Sequence, residues 1–184
     1  LGVKDSKEIP PLERERLYPI LQSTLVNHKT SHISPGELDT LMEKISLNEI
    51  EAMKIGSLLN ELPEKPQVVF VDSPDPLASN FAVRIQNYLS YTPRIIAEHK
   101  ADSNYAIVGA ASILAKVERD NAMKELQSAL SVFGDIGSGY SHDERTISFL
   151  QKYVRMHNAL PSCARKRWGT SVRLMDARFQ TKLV

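Results

Sequence analysis

The spacing of apolar residues along the chain predicts helices that alternate with two short strands. Pro10-Pro11 precedes a helical pattern, and the Ser-x-x-Glu spacing of a capping box begins two further predicted helices at Ser34 and Ser46. Residues 68–71 form an unbroken apolar run that ends in Asp72, which predicts a buried strand covered on both faces.

The same alternation continues through the rest of the chain. Residues 77–89 have a helical pattern, residues 94–97 that of a second strand and residues 104–130 that of the longest helix. Two more helices are predicted after a glycine-rich loop at residues 134–140, the last of them beyond Trp168. Strand, helix, strand and helix in succession are typical of parallel β/α units, so the sequence predicts an α/β fold.

The distribution of charge is more informative than the composition, which is ordinarily globular with 42% apolar and 24% charged residues and a net charge of +1. Residues 151–184 contain eight Lys and Arg residues against one acid, whereas residues 1–150 contain 15 basic and 21 acidic residues. A basic segment beside an acidic body suits a phosphate-rich partner on one surface and a cation on another.

Cysteine content and apolar segment length indicate the compartment. The single cysteine, Cys163, cannot form an internal disulfide, which favours a reducing cytoplasm. No segment approaches the apolar length of a membrane span, and no signal peptide is recognisable. Without a heptad pattern or an obvious apolar interface stripe, we expect a cytoplasmic monomer that does not associate with membranes.

Two carboxylates are the main candidates for chemistry. Asp72 follows the first predicted strand and Asp102 follows the second. An acid at the end of a buried strand is costly unless its desolvation is compensated, so two such acids indicate a shared divalent-metal site. The alternative is a surface acid at a strand end together with a helix N-cap, because Asp is favoured at both positions. His99 is predicted to pack beside Asp102 rather than to act as a general base.

Six segments carry a resemblance to a known family. They are Asp5-Ser6-Lys7, Ser46-Leu47-Asn48-Glu49-Ile50-Glu51-Ala52, Phe70-Val71-Asp72, Lys100-Ala101-Asp102 with the run from Ala110 to Asp120, Gly137-Ser138-Gly139-Tyr140, and Arg165-Lys166-Arg167-Trp168-Gly169-Thr170. In this order they resemble the ribonuclease HII family, specifically its archaeal branch, over essentially the whole chain.

The resemblance implies a ribonuclease H-like mixed sheet flanked by helices, with a helical C-terminal part. Residues 1–150 would form the catalytic domain, and residues 151–184 a basic helical segment packed on it. The family begins with strands that carry an Asp-Glu-Ala-Gly-Arg-Gly motif, which supplies two of its four metal-binding carboxylates. The sequence contains no such motif, so we expect a family member that lacks these opening strands and is incomplete at its N-terminus.

The implied activity is that of an endoribonuclease acting on the RNA strand of RNA/DNA hybrids and on ribonucleotides embedded in duplex DNA. Two divalent ions, Mg²⁺ or Mn²⁺, would support phosphodiester hydrolysis that leaves 3′-hydroxyl and 5′-phosphate ends. The alternative is a catalytically incomplete fragment that binds RNA/DNA hybrids. A different metal nuclease of the same fold would explain the carboxylates but not Lys7, Tyr140 and the basic segment together.

Individual residues receive roles from the same resemblance. Asp72 and Asp102 resemble the third and fourth carboxylates, and would be both catalytic and metal-binding. Lys7 resembles a phosphate-contacting lysine, and Tyr140 the tyrosine that packs beside the ribonucleotide, since an aromatic ring can stack on a sugar or base. The alternatives are a solvated loop lysine and a loop tyrosine that covers the core.

Four further basic residues are candidate contacts to the nucleic-acid backbone. Lys116 and Arg119 lie three positions apart on one face of the longest predicted helix. Arg165 and Lys166 begin a cluster that could clamp phosphates, with an affinity that falls as salt rises. A solvated helix face is the alternative for the first pair, and Trp168 is predicted to be a packing anchor.

Overall fold

The structure is a computed structural model that describes residues 6–180, with the backbone alone at residues 178–180. Asp5 of the first family-like segment lies outside the described residues. The described chain divides into two compact units, which are treated separately below. The first unit comprises the residues up to His32 together with Ile45–Arg119, and the second comprises Ile33–Lys44 together with the residues from Asp120 onward.

Helices and two strands alternate in the predicted order. The helices are α1 (Pro11–Thr24), α2 (Pro35–Leu41), α3 (Leu47–Glu61), α4 (Ala78–Gln86), α5 (Ala101–Asn104), α6 (Ala106–Ala129), α7 (Glu144–His157) and α8 (Gly169–Gln180). The strands are β1 (Val68–Asp72) and β2 (Arg94–Glu98), and a 3₁₀ turn occupies Ser131–Phe133. The prediction of an α/β chain with a long helix after the second strand is confirmed. Within the described part of the chain, no helix is long and apolar enough to cross a membrane.

Local capping signals explain where several helices begin. The Ser34 and Ser46 hydroxyls accept the N–H groups of Glu37 and Glu49, each at 3.2 Å, at the starts of α2 and α3. The side chain of Asp143 accepts the N–H of Arg145 at 2.9 Å at the start of α7. Each cap satisfies a backbone donor that the first helical turn leaves without an internal partner, so the helix starts predicted at Ser34 and Ser46 are confirmed.

The two strands form a parallel pair in which Val68 lies opposite Arg94 and Asp72 opposite Glu98. One face of β1 presents Val69 and Val71 to a core that includes Phe81. The other face is more open: Val68 is 42% exposed and borders, together with Phe70, a groove of about 430 Å³.

The prediction that β1 is covered on both faces is therefore wrong for the described residues. Burial alternates along the strand, with Val69 and Val71 buried in that core and Val68 and Phe70 more exposed, and apolar residues that include Ile55, Leu62 and Ile107 line a groove along the strand. Continuous hydrophobicity thus reflects a covered face and an apolar open groove, rather than two covered faces.

Each unit has its own apolar core. In the first unit, Leu17 and Leu21 of α1 pack against Ile113 and Val117 of α6, beside the separate core under the sheet. The second unit is centred on Ile136, Phe149, Leu150 and Ala164. Complete burial of a leucine or phenylalanine contributes about 1.5–3 kcal/mol, so these clusters hold the loops that carry the candidate site residues.

Candidate active site

One hydrogen bond joins the carboxylate of Asp72 to the backbone of the residue that precedes Asp102. Asp72 ends β1, and its Oδ1 accepts the N–H of Ala101 at 3.0 Å. Ala101 is the first residue of α5, and Asp102 follows it with only 8% of its surface exposed. The bond therefore brings the end of β1 to the short segment that carries Asp102.

Two details differ from the sequence-based expectation. Asp72 is exposed rather than buried at the strand end. Asp102 does not end a strand, because β2 stops at Glu98 and the chain turns into α5 at Lys100, whose φ of 57° and ψ of 34° are left-handed. This turn directs the Ala101 amide toward Asp72, so Asp102 is held by a helix start instead of a strand end.

A third acid, Glu98, lies opposite Asp72 in the sheet, and the sequence patterns did not single it out. Its carboxylate accepts the hydroxyl of Tyr105 at 2.7 Å, and this hydrogen bond raises the pKa of Tyr105. The Tyr105 ring in turn lies 4.5 Å from that of Phe70.

Among residues 6–180, no group of three or more His, Cys, Asp or Glu residues is arranged to hold a metal ion. Carboxylate oxygens suit hard divalent cations, and Asp72 and Asp102 are the residues for which the sequence predicts that role.

A buried hydrogen-bond network fixes the loop that follows Asp72. Asp75 is 4% exposed and accepts hydrogen bonds from Asn48 and, at 2.8 Å, from Nε of Arg84. The bond from Asn48, followed by that from Arg84, holds the pKa of Asp75 below its usual value. His99 bonds the Asp75 carbonyl through Nε2 at 2.8 Å, so this ring serves as a donor to the backbone. Sequence patterns indicated only a turn at this position.

Lys7 lies on a turn that is fixed from both sides. The hydroxyls of Ser6 and Ser112 share a hydrogen bond of 2.7 Å, which joins the turn to α6. The buried Arg14 donates through Nη1 to the carbonyls of Ser6, at 2.9 Å, and Ile9, at 2.7 Å. Lys7 is exposed on this turn, which is the placement that a phosphate-contacting lysine requires.

Lys116 and Arg119 lie on α6 in the first unit, and both are partly buried. Their spacing of three residues puts them on one helix face. Glu118 lies between them and holds the α1–α2 connection: it accepts hydrogen bonds from Thr30 at 2.6 Å and Tyr18 at 3.1 Å, and contacts His32 at 2.7 Å. The helix face that carries the two cations is therefore next to a structural anchor.

Tyr140 belongs to the second unit and ends a tightly turned glycine loop. Gly137 and Gly139 have φ values of 66° and 75°, a region that favours glycine. Asp143 accepts the Ser138 N–H at 2.7 Å, and a hydrogen bond from the Ser138 side chain, followed by this backbone bond, holds the pKa of Asp143 far below its usual value. The Tyr140 ring is 46% exposed and stacks on His142 with centroids 5.8 Å apart. The loop therefore presents an aromatic face in a fixed frame.

Arg165 and Lys166, also in the second unit, point in different directions. Arg165 is partly buried, with its guanidinium carbon 5.7 Å from the centroid of the Trp168 ring. Lys166 is exposed, and its backbone N–H donates to Asp39 at 2.6 Å. Partial burial of Trp168 agrees with the predicted packing anchor.

Known structures identify the fold class. The crystal structure of ribonuclease H2 from Pyrococcus horikoshii OT3 matches with a TM-score of 0.88 at 40% identity, over 97% of this chain and 82% of that chain. The ribonuclease HII chain of the PCNA:RNase HII complex from Archaeoglobus fulgidus matches with a TM-score of 0.81 at 36% identity, over 94% of this chain and 80% of that one. The fold is therefore the ribonuclease H-like α/β fold that the sequence predicted.

The sequence comparison identifies the family. The model of the family Ribonuclease HII matches residues 1–171. The ribonuclease HII of Pyrococcus abyssi is 40% identical over 176 residues, which are 96% of this chain and 76% of that protein. The chain belongs to the ribonuclease HII family, a family of nucleases that are hydrolases, and its relatives from Pyrococcus abyssi and Pyrococcus furiosus are archaeal, as the resemblance implied.

Proposed function

We propose that the protein is an endoribonuclease that cleaves the RNA strand of RNA/DNA hybrids and ribonucleotides embedded in duplex DNA. Cleavage would hydrolyse one phosphodiester bond and leave 3′-hydroxyl and 5′-phosphate ends. Membership of the ribonuclease HII family supports the reaction class. The single observation that supports the site assignment is the hydrogen bond from the Ala101 N–H to Asp72, which ties the first candidate carboxylate to the residue that precedes the second.

Asp72 and Asp102 are the residues that would hold divalent metal, Mg²⁺ or Mn²⁺. Oδ1 of Asp72 is oriented by the Ala101 N–H, so Oδ2 and the second lone pair of Oδ1 are the groups that would face a cation. Two such ions would supply an activated water molecule and stabilisation of the departing 3′ oxygen. The relatives extend beyond the part matched here, since the chain covers 76% of the P. abyssi protein.

Basic and aromatic residues would bind the substrate. Lys7, on its fixed turn, would contact a phosphate near the cleaved bond, and Lys116 with Arg119 would contact the backbone farther away. Tyr140, held by the glycine loop, would pack against the ribose of the ribonucleotide. Arg165 and Lys166 would add phosphate contacts in the second unit, with Lys166 more accessible than the partly buried Arg165.

A second candidate function is hybrid binding without cleavage by the 184-residue chain itself. This candidate is favoured by the absence, within residues 6–180, of any cluster of three or more metal-ligating side chains. Binding would then rely on the basic residues and Tyr140, whose positions do not depend on metal.

Nicking of a DNA duplex with one embedded ribonucleotide tests both candidates. We expect nicking 5′ to the ribonucleotide in Mg²⁺ or Mn²⁺, no nicking in EDTA, and none of an all-DNA duplex of the same sequence. Asp72→Asn should abolish nicking, because it removes a metal-ligating charge while its oxygen can still accept the Ala101 N–H. Asp176→Asn, a change of an exposed acid on α8, is the matched control and should keep full activity.

The product ends and the binding step separate the outcomes. A nick with a 5′-phosphate, lost in Asp72→Asn, supports the endonuclease. Retained hybrid affinity without nicking in either metal supports the binding fragment. If the chain neither nicks ribonucleotide-containing duplexes nor binds them preferentially, the proposed function is refuted.

A further inference from the structure

Helix α2 carries a buried acid, Asp39, to which the proposed reaction gives no role. Only 8% of its surface is exposed, and a buried carboxylate is costly unless its partners compensate for the lost solvation. Oδ2 accepts the backbone N–H of Lys166 at 2.6 Å, and Oδ1 lies 4.0 Å from Nε of Arg165. Both contacts are to the first two of three consecutive cations, Arg165, Lys166 and Arg167, which we call the RKR segment.

The side chains of the RKR segment divide into an inward and an outward set. Arg165 turns inward, where Nη2 donates to Sδ of Met42 at 2.8 Å and the guanidinium lies over the Trp168 ring. Lys166 and Arg167 are exposed. The Asp39–Lys166 hydrogen bond therefore fixes the backbone at the point where the chain changes from an inward to an outward side chain.

We infer that Asp39 is a positioning residue for nucleic-acid binding, which holds the RKR segment so that Lys166 and Arg167 present their charges to phosphates. The inference rests on the proposed function. An acid beside a phosphate-binding surface repels phosphate, so the charge of Asp39 alone would oppose binding. A role in anchoring the RKR segment accounts for an acid at this position. The same carboxylate offsets the burial of the Arg165 guanidinium.

The sign of the effect on affinity tests the inference. Removing an acid should by charge alone tighten binding to nucleic acid, whereas releasing the RKR segment should weaken it. We expect Asp39→Ala to weaken binding of a 12-base-pair RNA/DNA hybrid in EDTA by about fivefold to tenfold. The slope of log affinity against log salt should become shallower by up to about 2, because each of two lost phosphate contacts contributes about 0.9.

Three further variants distinguish positioning from a general loss of stability. Asp176→Asn makes the same charge change on the exposed face of α8 and should bind as tightly as the unchanged chain or more tightly. Asp39→Asn keeps an oxygen that can accept the Lys166 N–H, so it should restore most of the affinity lost in Asp39→Ala. In a Lys166→Ala/Arg167→Ala background, Asp39→Ala should have no further effect.

Two results would overturn the inference. One is binding by Asp39→Ala as tight as that of Asp176→Asn, and the other is an equal loss of affinity in the Lys166→Ala/Arg167→Ala background. If the unchanged chain binds no hybrid, the proposed function fails, and amide hydrogen exchange then decides the anchoring role of Asp39. The Lys166 amide should exchange faster in Asp39→Ala and not in Asp176→Asn, and an unchanged Lys166 amide would refute that role.

Discussion

Gly56 marks a close approach between α3 and the turn after α4, and Gly56→Ala tests whether that approach is a fixed constraint. A Cβ at Gly56 would lie 2.5 Å from Cβ of Tyr88 and 3.3 Å from its carbonyl carbon and oxygen. Because Cβ and the carbonyl move only with the backbone, rotation of the Tyr88 ring cannot relieve the clash. The substitution therefore forces the two segments apart.

The expected change in the free energy of unfolding combines one stabilising and two destabilising contributions. Alanine is favoured over glycine in a helix interior by about 1 kcal/mol. Inserting a methyl group into a packed contact costs about 1–3 kcal/mol. Separation also weakens two hydrogen bonds of 2.7 Å, from Asn60 to the Tyr88 carbonyl and from the Tyr88 hydroxyl to Glu49, each with a net contribution of about 1 kcal/mol. We expect a net loss of about 2 kcal/mol in the free energy of unfolding.

Urea unfolding followed by far-UV circular dichroism measures this loss, and Gly36→Ala is the control. Gly36 is also helical, in α2, but has no heavy atom within 4 Å of its built Cβ, so its substitution should be neutral or stabilising by about 0.5–1 kcal/mol. A Gly56→Ala chain as stable as the unchanged one would refute the reasoning. The close approach of the two segments would then relax without cost.

Two other substitutions test the loops near the candidate residues. Hydrogen bonds from Ser138 hold the pKa of Asp143 far below its ordinary value of 3.8, so its contribution to stability is present above about pH 4 and is lost as the pH falls further. Asp143→Asn should therefore flatten the decline of melting temperature below pH 4, and a decline as steep as that of Asp176→Asn would contradict this. Glu118→Gln should speed amide exchange over residues 25–33 without affecting α1, because it weakens the three contacts that Glu118 makes with Tyr18, Thr30 and His32. Unchanged exchange would show that these contacts do not hold the connection.

The helices could be predicted because their signals are local. A serine three residues before a glutamate satisfies an amide within its own turn, and this happens at both Ser34 and Ser46. The parallel arrangement of β1 and β2 could also be predicted from the order of elements, because a helix between two strands returns the chain to the end of the sheet at which the first strand began. These features depend on neighbours only a few residues away or on simple connectivity.

Burial of the β1 faces could not be predicted in the same way. An apolar run indicates that each side chain favours burial, but it does not identify the elements that cover the strand. Val69 and Val71 are buried in the core that includes Phe81, whereas Val68 is 42% exposed beside an apolar groove. Which face is covered depends on residues far away in the sequence, so the pattern of residues 68–71 was compatible with either outcome.

The candidate site shows the same division between local pattern and distant contacts. Sequence order placed Asp72 and Asp102 after successive strands, but it did not show that Lys100 turns the chain so that Ala101 donates to Asp72. Nor did it show that Asp75 is held by Asn48 and Arg84, which are 27 and nine residues away. Both contacts act on the backbone that carries the carboxylates. A substitution at Arg84 should therefore disturb the loop after Asp72 while both candidate carboxylates stay unchanged, and that constraint is visible only in three dimensions.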